Sequence, residues 1–122
     1  MSYDWGPHYI VPSPTLTSLS GVVQLREELD RDLLRKELGA LGLSTKVTRV
    51  SNPWYYRKKG TRSWVKIGES DDEQGNFPVT WDTSRLRNGK YEVLGLMHVY
   101  VGEGNSATAV VGQNVVEVAI SN

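Results

Sequence analysis

The chain has 122 residues, enough for one hydrophobic core and too few for a second. Hydrophobic residues make up 39% and charged residues 23%, ordinary values that exclude wholesale disorder. Cysteine is absent, which removes disulfide staples, zinc–thiolate sites and cysteine nucleophiles, and the formal net charge is zero.

Residues 1–18 set Tyr3, Trp5, His8 and Tyr9 among Pro7, Pro12 and Pro14, with neither a strand nor a helix period. Proline blocks regular pairing there, so the segment reads as an extended N-terminal arm. A polar linker would not expose so many rings, and they dock either on the chain's own body or on a neighbouring molecule. The opening residues lack the basic start and apolar stretch of a secretory signal, and no run reaches the roughly 18 to 20 apolar residues of a spanning helix. Synthesis in the cytosol and no membrane partner are the expectation.

Residues 19–122 read as one domain. After a short strand at 22–24, Leu25, Leu29, Leu33, Leu34, Leu38 and Leu41 recur at helical spacing, with Arg26, Glu27, Asp30, Arg31, Arg35 and Glu37 on the other faces. This predicts an amphipathic helix at about 25–41, ended by Gly39 and Gly42. It serves either as a lid on a sheet or as a helix that binds in a partner's groove.

From residue 44 the signals change to strands, at 45–50, 54–57, 64–67, 77–81, 91–101 and 115–120. With the strand before the helix this makes about seven, which favours an all-β, two-sheet antiparallel sandwich. On the strand at 91–101, if Tyr91, Val93, Met97 and Val99 face inward, the other side presents Leu94, Leu96, His98 and Tyr100. Water normally meets a polar outer face, so the helix, the arm or another molecule must cover those side chains. Tyr3, Trp5, Tyr9, Leu94, Leu96 and Tyr100 are thus the candidate partner-binding residues.

The segment FPVTWDTSRLRNGKYEV, residues 77–93, resembles the bacterial immunoglobulin-like and fibronectin type III-like modules of surface proteins, secreted enzymes and phage virions. Trp81, Asp82, Thr83, Leu86, Asn88, Gly89 and Tyr91 stand at the positions of their strand-and-corner pattern. WYYRKKGTRSWVKIGE and the closing VVEVAISN look like two further parts of the same module. The resemblance implies an immunoglobulin-like antiparallel β-sandwich, with the helix and the arm as additions. It implies structural roles for Trp81, Gly89 and Tyr91. Gly89 suits a turn that a Cβ would resist, and the Tyr91 hydroxyl can bond back to backbone near Leu86.

Seven bases lie between Lys46 and Lys66 with no acid among them, and Glu69, Asp71, Asp72, Glu73 and Asp82 follow. These neutralise one another across a sheet or hold an anionic partner. Trp54, Tyr56, Arg57, Lys58, Lys59 and Trp64 are the candidates for an anionic or glycan-binding face, although strand alternation sends Tyr55 away from Trp54 and Tyr56 and so commits part of the set to the core. The balanced charge argues against a general nucleic-acid binder.

Catalytic chemistry is hard to assemble from this sequence. It has two histidines, His8 and His98, too few for a histidine-rich metal site or a conventional triad. The turn at 102–105 lacks the helix that phosphate binding needs, and the acidic run at 71–73 lacks EF-hand spacing. No catalytic residue, metal site or cofactor is expected. The function these signals favour is that of a small bacteriophage virion accessory protein, a capsid decoration, cement or tail-associated component that binds neighbouring subunits or itself. The alternative is a carbohydrate-binding or adhesive module of a bacterial surface protein or secreted enzyme, located outside the cell.

Overall fold

A computed structural model describes residues 10–12 and 18–122, and strands dominate it. In chain order the elements are β1 (Ile10–Pro12), β2 (Ser18–Leu19), β3 (Val22–Leu25), β4 (Glu27–Leu29), helix α1 (Arg31–Ala40), β5 (Val47–Lys58), β6 (Val65–Ser70), β7 (Val79–Asp82), β8 (Gly89–Val101) and β9 (Thr108–Ile120). The protein is all-β with one short helix. Among the described residues no helix is long and apolar enough to cross a membrane.

β2, β9, β8, β5 and β6 form, in that order, a five-stranded mixed sheet in which β2 is parallel to β9 and the other neighbours are antiparallel. Two small sheets, β3–β7 and β1–β4, pack on its inner face. Strand alternation decides what goes inside: Tyr91, Val93, Met97, Val99 and Val101 of β8 are all buried. Their neighbours divide into two clusters. In the lower one, Leu25 of β3 and Val79 and Trp81 of β7 cover Trp54, Tyr91 and Val93. In the upper one, Ile10, Leu29, Leu34 and Leu38 cover Val50, Met97 and Val99.

α1 is shorter than the leucine spacing predicts, and this is a correction to the helix expected at 25–41. Asp30 caps its start, with its Oδ1 accepting from the Asp32 and Leu33 amides at 3.1 Å each. Its end is closed by the Leu43 amide donating 2.9 Å to the Leu38 carbonyl across Gly42, whose φ is +71°. Leu25 and Leu29 instead belong to β3 and β4. Residues 25, 27 and 29 are buried and 26 and 28 exposed, which is strand period, and each short strand is fixed by a partner, Val79 for Leu25 and Ile10 for Leu29.

The strands at 45–50 and 54–57 are one strand, β5, which continues through Pro53. Proline lacks the N–H that a central strand uses, and the ladder to β8 carries no pairs at Asn52 and Pro53 before resuming in the same register at Trp54. β9 also begins earlier than expected, at Thr108, and pairs with β8 along its whole length.

At the lower end the chain turns a pinned corner. The Tyr91 hydroxyl donates 2.8 Å to the Arg87 carbonyl, Gly89 has φ +149°, and Thr83 Oγ1 donates 2.7 Å to the Gly21 carbonyl. Trp81 is buried and packs against Tyr56, with ring centroids 5.1 Å apart and planes tilted by 34°.

Candidate partner-binding face

The outer face of the five-stranded sheet is built by the side chains that alternate with the core. Register sets them in rows across β5, β8 and β9: Tyr55, Leu94 and Val115, then Ser51, His98 and Val111, then Arg49, Tyr100 and Ala109. Pro53, Leu96 and Gln113 share this face by alternation. Leu94 is only 7% exposed, so its neighbours already cover it, whereas Val111 is 49% exposed. Leu96, His98 and Tyr100 are half-buried. The His98 ring stacks on Tyr100 with centroids 6.4 Å apart, and the Arg49 guanidinium lies 5.4 Å from the centre of the Tyr100 ring. These contacts fix two rings at the upper margin.

Apart from Arg49 over the Tyr100 ring, the charges on this face sit in pairs at its lower margin and on edge strand β6. Arg57 Nε meets Glu92 Oε1 at 2.9 Å and Lys59 Nζ meets Glu117 Oε1 at 2.7 Å along the lower margin. Lys66 meets Glu69 at 3.0 Å on edge strand β6, and Ser51 Oγ donates to Glu69. The ammonium of Lys66 holds Glu69 below the ordinary carboxylate range, and that of Lys59 does the same for Glu117. On β5, β8 and β9 the rows from Tyr55 to His98 contain no Lys, Arg, Asp or Glu, while on β6 Lys66 lies beside Tyr55 and Glu69 beside Pro53. The basic stretch is thus largely neutralised, but mostly by partners other than the acidic run. Glu92, Glu103 and Glu117 take Arg57, Lys46 and Lys59; only Glu69 of that run meets a base of the stretch, and Glu73 turns to Arg31.

The residues singled out in the sequence fall in different places. Leu94, Leu96 and Tyr100 lie together on the outer face, while Tyr3, Trp5 and Tyr9 fall outside the described residues, as does His8. Of the candidate cover, α1 is ruled out, because Leu34 and Leu38 pack it against the inner face. The anionic or glycan set is not one surface, which corrects that expectation. Trp54 is 2% exposed and donates its Nε1 proton 2.9 Å to the Phe77 carbonyl, and Tyr56 packs inward against Trp81. Arg57, Lys58, Lys59 and Trp64 remain at the surface, with the Arg57 guanidinium 4.1 Å from the centre of the Trp64 ring. Trp81, Gly89 and Tyr91 stand in the lower core and its corner.

The acidic run is a capped turn. Asp72 Oδ1 accepts from the Gly75 amide at 3.1 Å, and Arg31 takes Glu73. Asp82 caps its own turn through the Ser84 amide and hydroxyl. Among the described residues no three His, Cys, Asp or Glu side chains gather as a metal-binding group.

Sequence reasoning missed Glu27, which was placed on the solvent side of a helix and is 2% exposed beside Asn52 and Asn114. The nearest signal is Gly95 inside a long strand, which marks a close approach to the backbone without naming the residue that makes it. No protein-family model, curated protein or solved structure matches this chain.

Proposed function

We propose that the chain is a non-enzymatic structural and interaction protein of immunoglobulin-like sandwich architecture that docks protein subunits on the outer face of its five-stranded sheet. The observation that carries this reading is the centre of that face, where half-buried Leu96 and exposed Val111 lie in rows of β5, β8 and β9 without Lys, Arg, Asp or Glu, with ion pairs along the lower margin and on β6. Such a centre with a polar margin is how protein interfaces are built. The architecture is supported by the strand order, a sheet of β2, β9, β8, β5 and β6 facing β3–β7, with the first strand of the large sheet parallel to the last. The setting that suits a small module of this kind is a bacteriophage virion, as a decoration, cement or tail-associated component. The alternative, a carbohydrate-binding or adhesive module, is weakened because Trp54 and Tyr56 are spent on the core.

The test is the double variant Leu96→Lys, Val111→Lys. Both side chains leave the sheet on its outer side, so melting should stay within a few degrees of the parent. Mass photometry of the parent with purified capsid or tail particles, and alone at rising concentration, should show bound or self-associated protein that the variant loses. Equal association by parent and variant would remove this face from the interaction, and no association by the parent in either setting would sink the reading.

A further inference from the structure

We propose that Glu27 is a proton-operated latch: its neutral carboxyl locks β4, and with it β1 and α1, onto the five-stranded sheet, and its ionisation releases them.

Glu27 stands where the chain stops pairing with β7 and begins to pair with β1. Its side chain crosses the interior and ends on Gly95 of β8, so close that a Cβ at Gly95 would lie 1.8 Å from Glu27 Oε2. Asn52 of β5 and Asn114 of β9 flank it, at 0% and 4% exposure. The layer they make separates the upper hydrophobic cluster from the lower one. The Glu27 amide donates 3.0 Å to the carbonyl of Asn76, which with Phe77 occupies the left-handed region at φ +64° and +53°. The latch therefore bears on a strained turn.

Hydrogen-bond accounting favours the proton. Asn114 Nδ2 donates to Glu27 Oε1 at 3.4 Å. The buried atoms left without partners are three oxygens, Glu27 Oε2, Asn52 Oδ1 and Asn114 Oδ1, and one donor group, Asn52 Nδ2. An ionised carboxylate adds only acceptors to this set, whereas a neutral carboxyl turns one orphan oxygen into a donor for an asparagine carbonyl. Among the described residues no cation compensates the charge. β5, β8 and β9 present Asn52, Gly95 and Asn114 to it, the neighbours Arg26 and Glu28 on its own segment are exposed, and Asp72 and Glu73 of the adjoining loop are engaged with Gly75 and Arg31.

Burial accordingly pushes the Glu27 carboxyl from 4.5 up to about 7, against a smaller opposite effect of the Asn114 and Asn52 amides. A carboxyl raised in the closed form stabilises that form fully below the open-state value of 4.5, and the stabilisation is lost as pH rises through about 7. A displacement of this size weakens closure by a factor on the order of 10² between acid and mildly alkaline solution. The lower cluster contains no residue of the released elements β1, β4 and α1, so opening is confined to the upper layer and uncovers Leu29, Leu34, Leu38 and Met97.

Hydrogen exchange of the full chain at pH 5 and pH 8.5, with rates corrected for intrinsic exchange, reads the opening directly. Protection of residues 27–40 should fall on the order of 10²-fold more than that of residues 89–95 and 115–120, and Glu27→Gln should abolish the difference. Equal loss in both regions, no loss in either, or an undiminished loss in Glu27→Gln would overturn the latch. Carboxyl-carbon NMR of the parent protein supplies an arm that needs no variant: a Glu27 midpoint near 7 supports the proposal, and one near 4.5 overturns it.

Discussion

Replacing Leu34 by alanine tests whether α1 is part of the core or an element held ready for a partner. Leu34 is 1% exposed and packs in the upper cluster with Leu38, Met97 and Val99. Truncating a leucine so enclosed removes its transfer energy and leaves a cavity, at a cost of about 3 kcal/mol. For a domain of this size that lowers the melting temperature by roughly 10 °C. Leu41 provides the control, since it follows the same helix but is 60% exposed, and its truncation should stay within about 0.5 kcal/mol. Urea denaturation followed by circular dichroism measures both variants. A Leu34→Ala loss below about 0.5 kcal/mol, or one equal to that of Leu41→Ala, would show that α1 does not seal the upper core.

Tyr91→Phe keeps the buried ring but leaves the Arg87 carbonyl without its hydroxyl partner, and should cost about 1 to 2 kcal/mol by denaturation. Gly95→Ala puts a methyl group into the space of the Glu27 carboxyl and should cost about 2 kcal/mol or more. Glu27→Ala in the same chain should recover much of that loss, and a double-mutant cycle with no coupling would refute the contact.

Much of the fold is legible in the sequence because strand period and turn chemistry act locally. Every second residue from Tyr91 to Val101 is buried, as strand period predicts, and of the outward set only Leu94 is buried with them. The outer-face set of Leu94, Leu96 and Tyr100 was legible for the same reason. Leu25 and Leu29 were not, since with Leu33 and Leu34 they satisfy a helical period, while residues 25, 27 and 29 are buried at strand period. Pairing with Val79 and Ile10 decides between the two, and those partners lie far away in sequence. Glu27 was illegible for a related reason: a carboxylate is read as solvated unless its surroundings are known. Those surroundings come from Asn52, Gly95 and Asn114 on three other strands. Trp54 and Tyr56 looked like a binding platform because aromatic residues serve core and surface alike, and only Trp81 and Phe77, brought up by β7 and the loop before it, settle where they go.

The parallel pairing of β2 with the end of β9 has a mechanical meaning. The Ser121 amide donates 2.9 Å to the Leu19 carbonyl, and the Gly21 amide donates 2.8 Å to Asn122 Oδ1, so the start of the large sheet is tied to the last residues of the chain. Because the two strands run the same way, tension applied at residues 18 and 122 pulls them past each other along their length. The bonds between them lie across that direction and are loaded together in shear, instead of being peeled open one after another. Resistance to such a pull is governed by an unfolding rate and not by equilibrium stability. A clasp of this kind holds a module closed under load, even where its upper layer can be lifted by a proton.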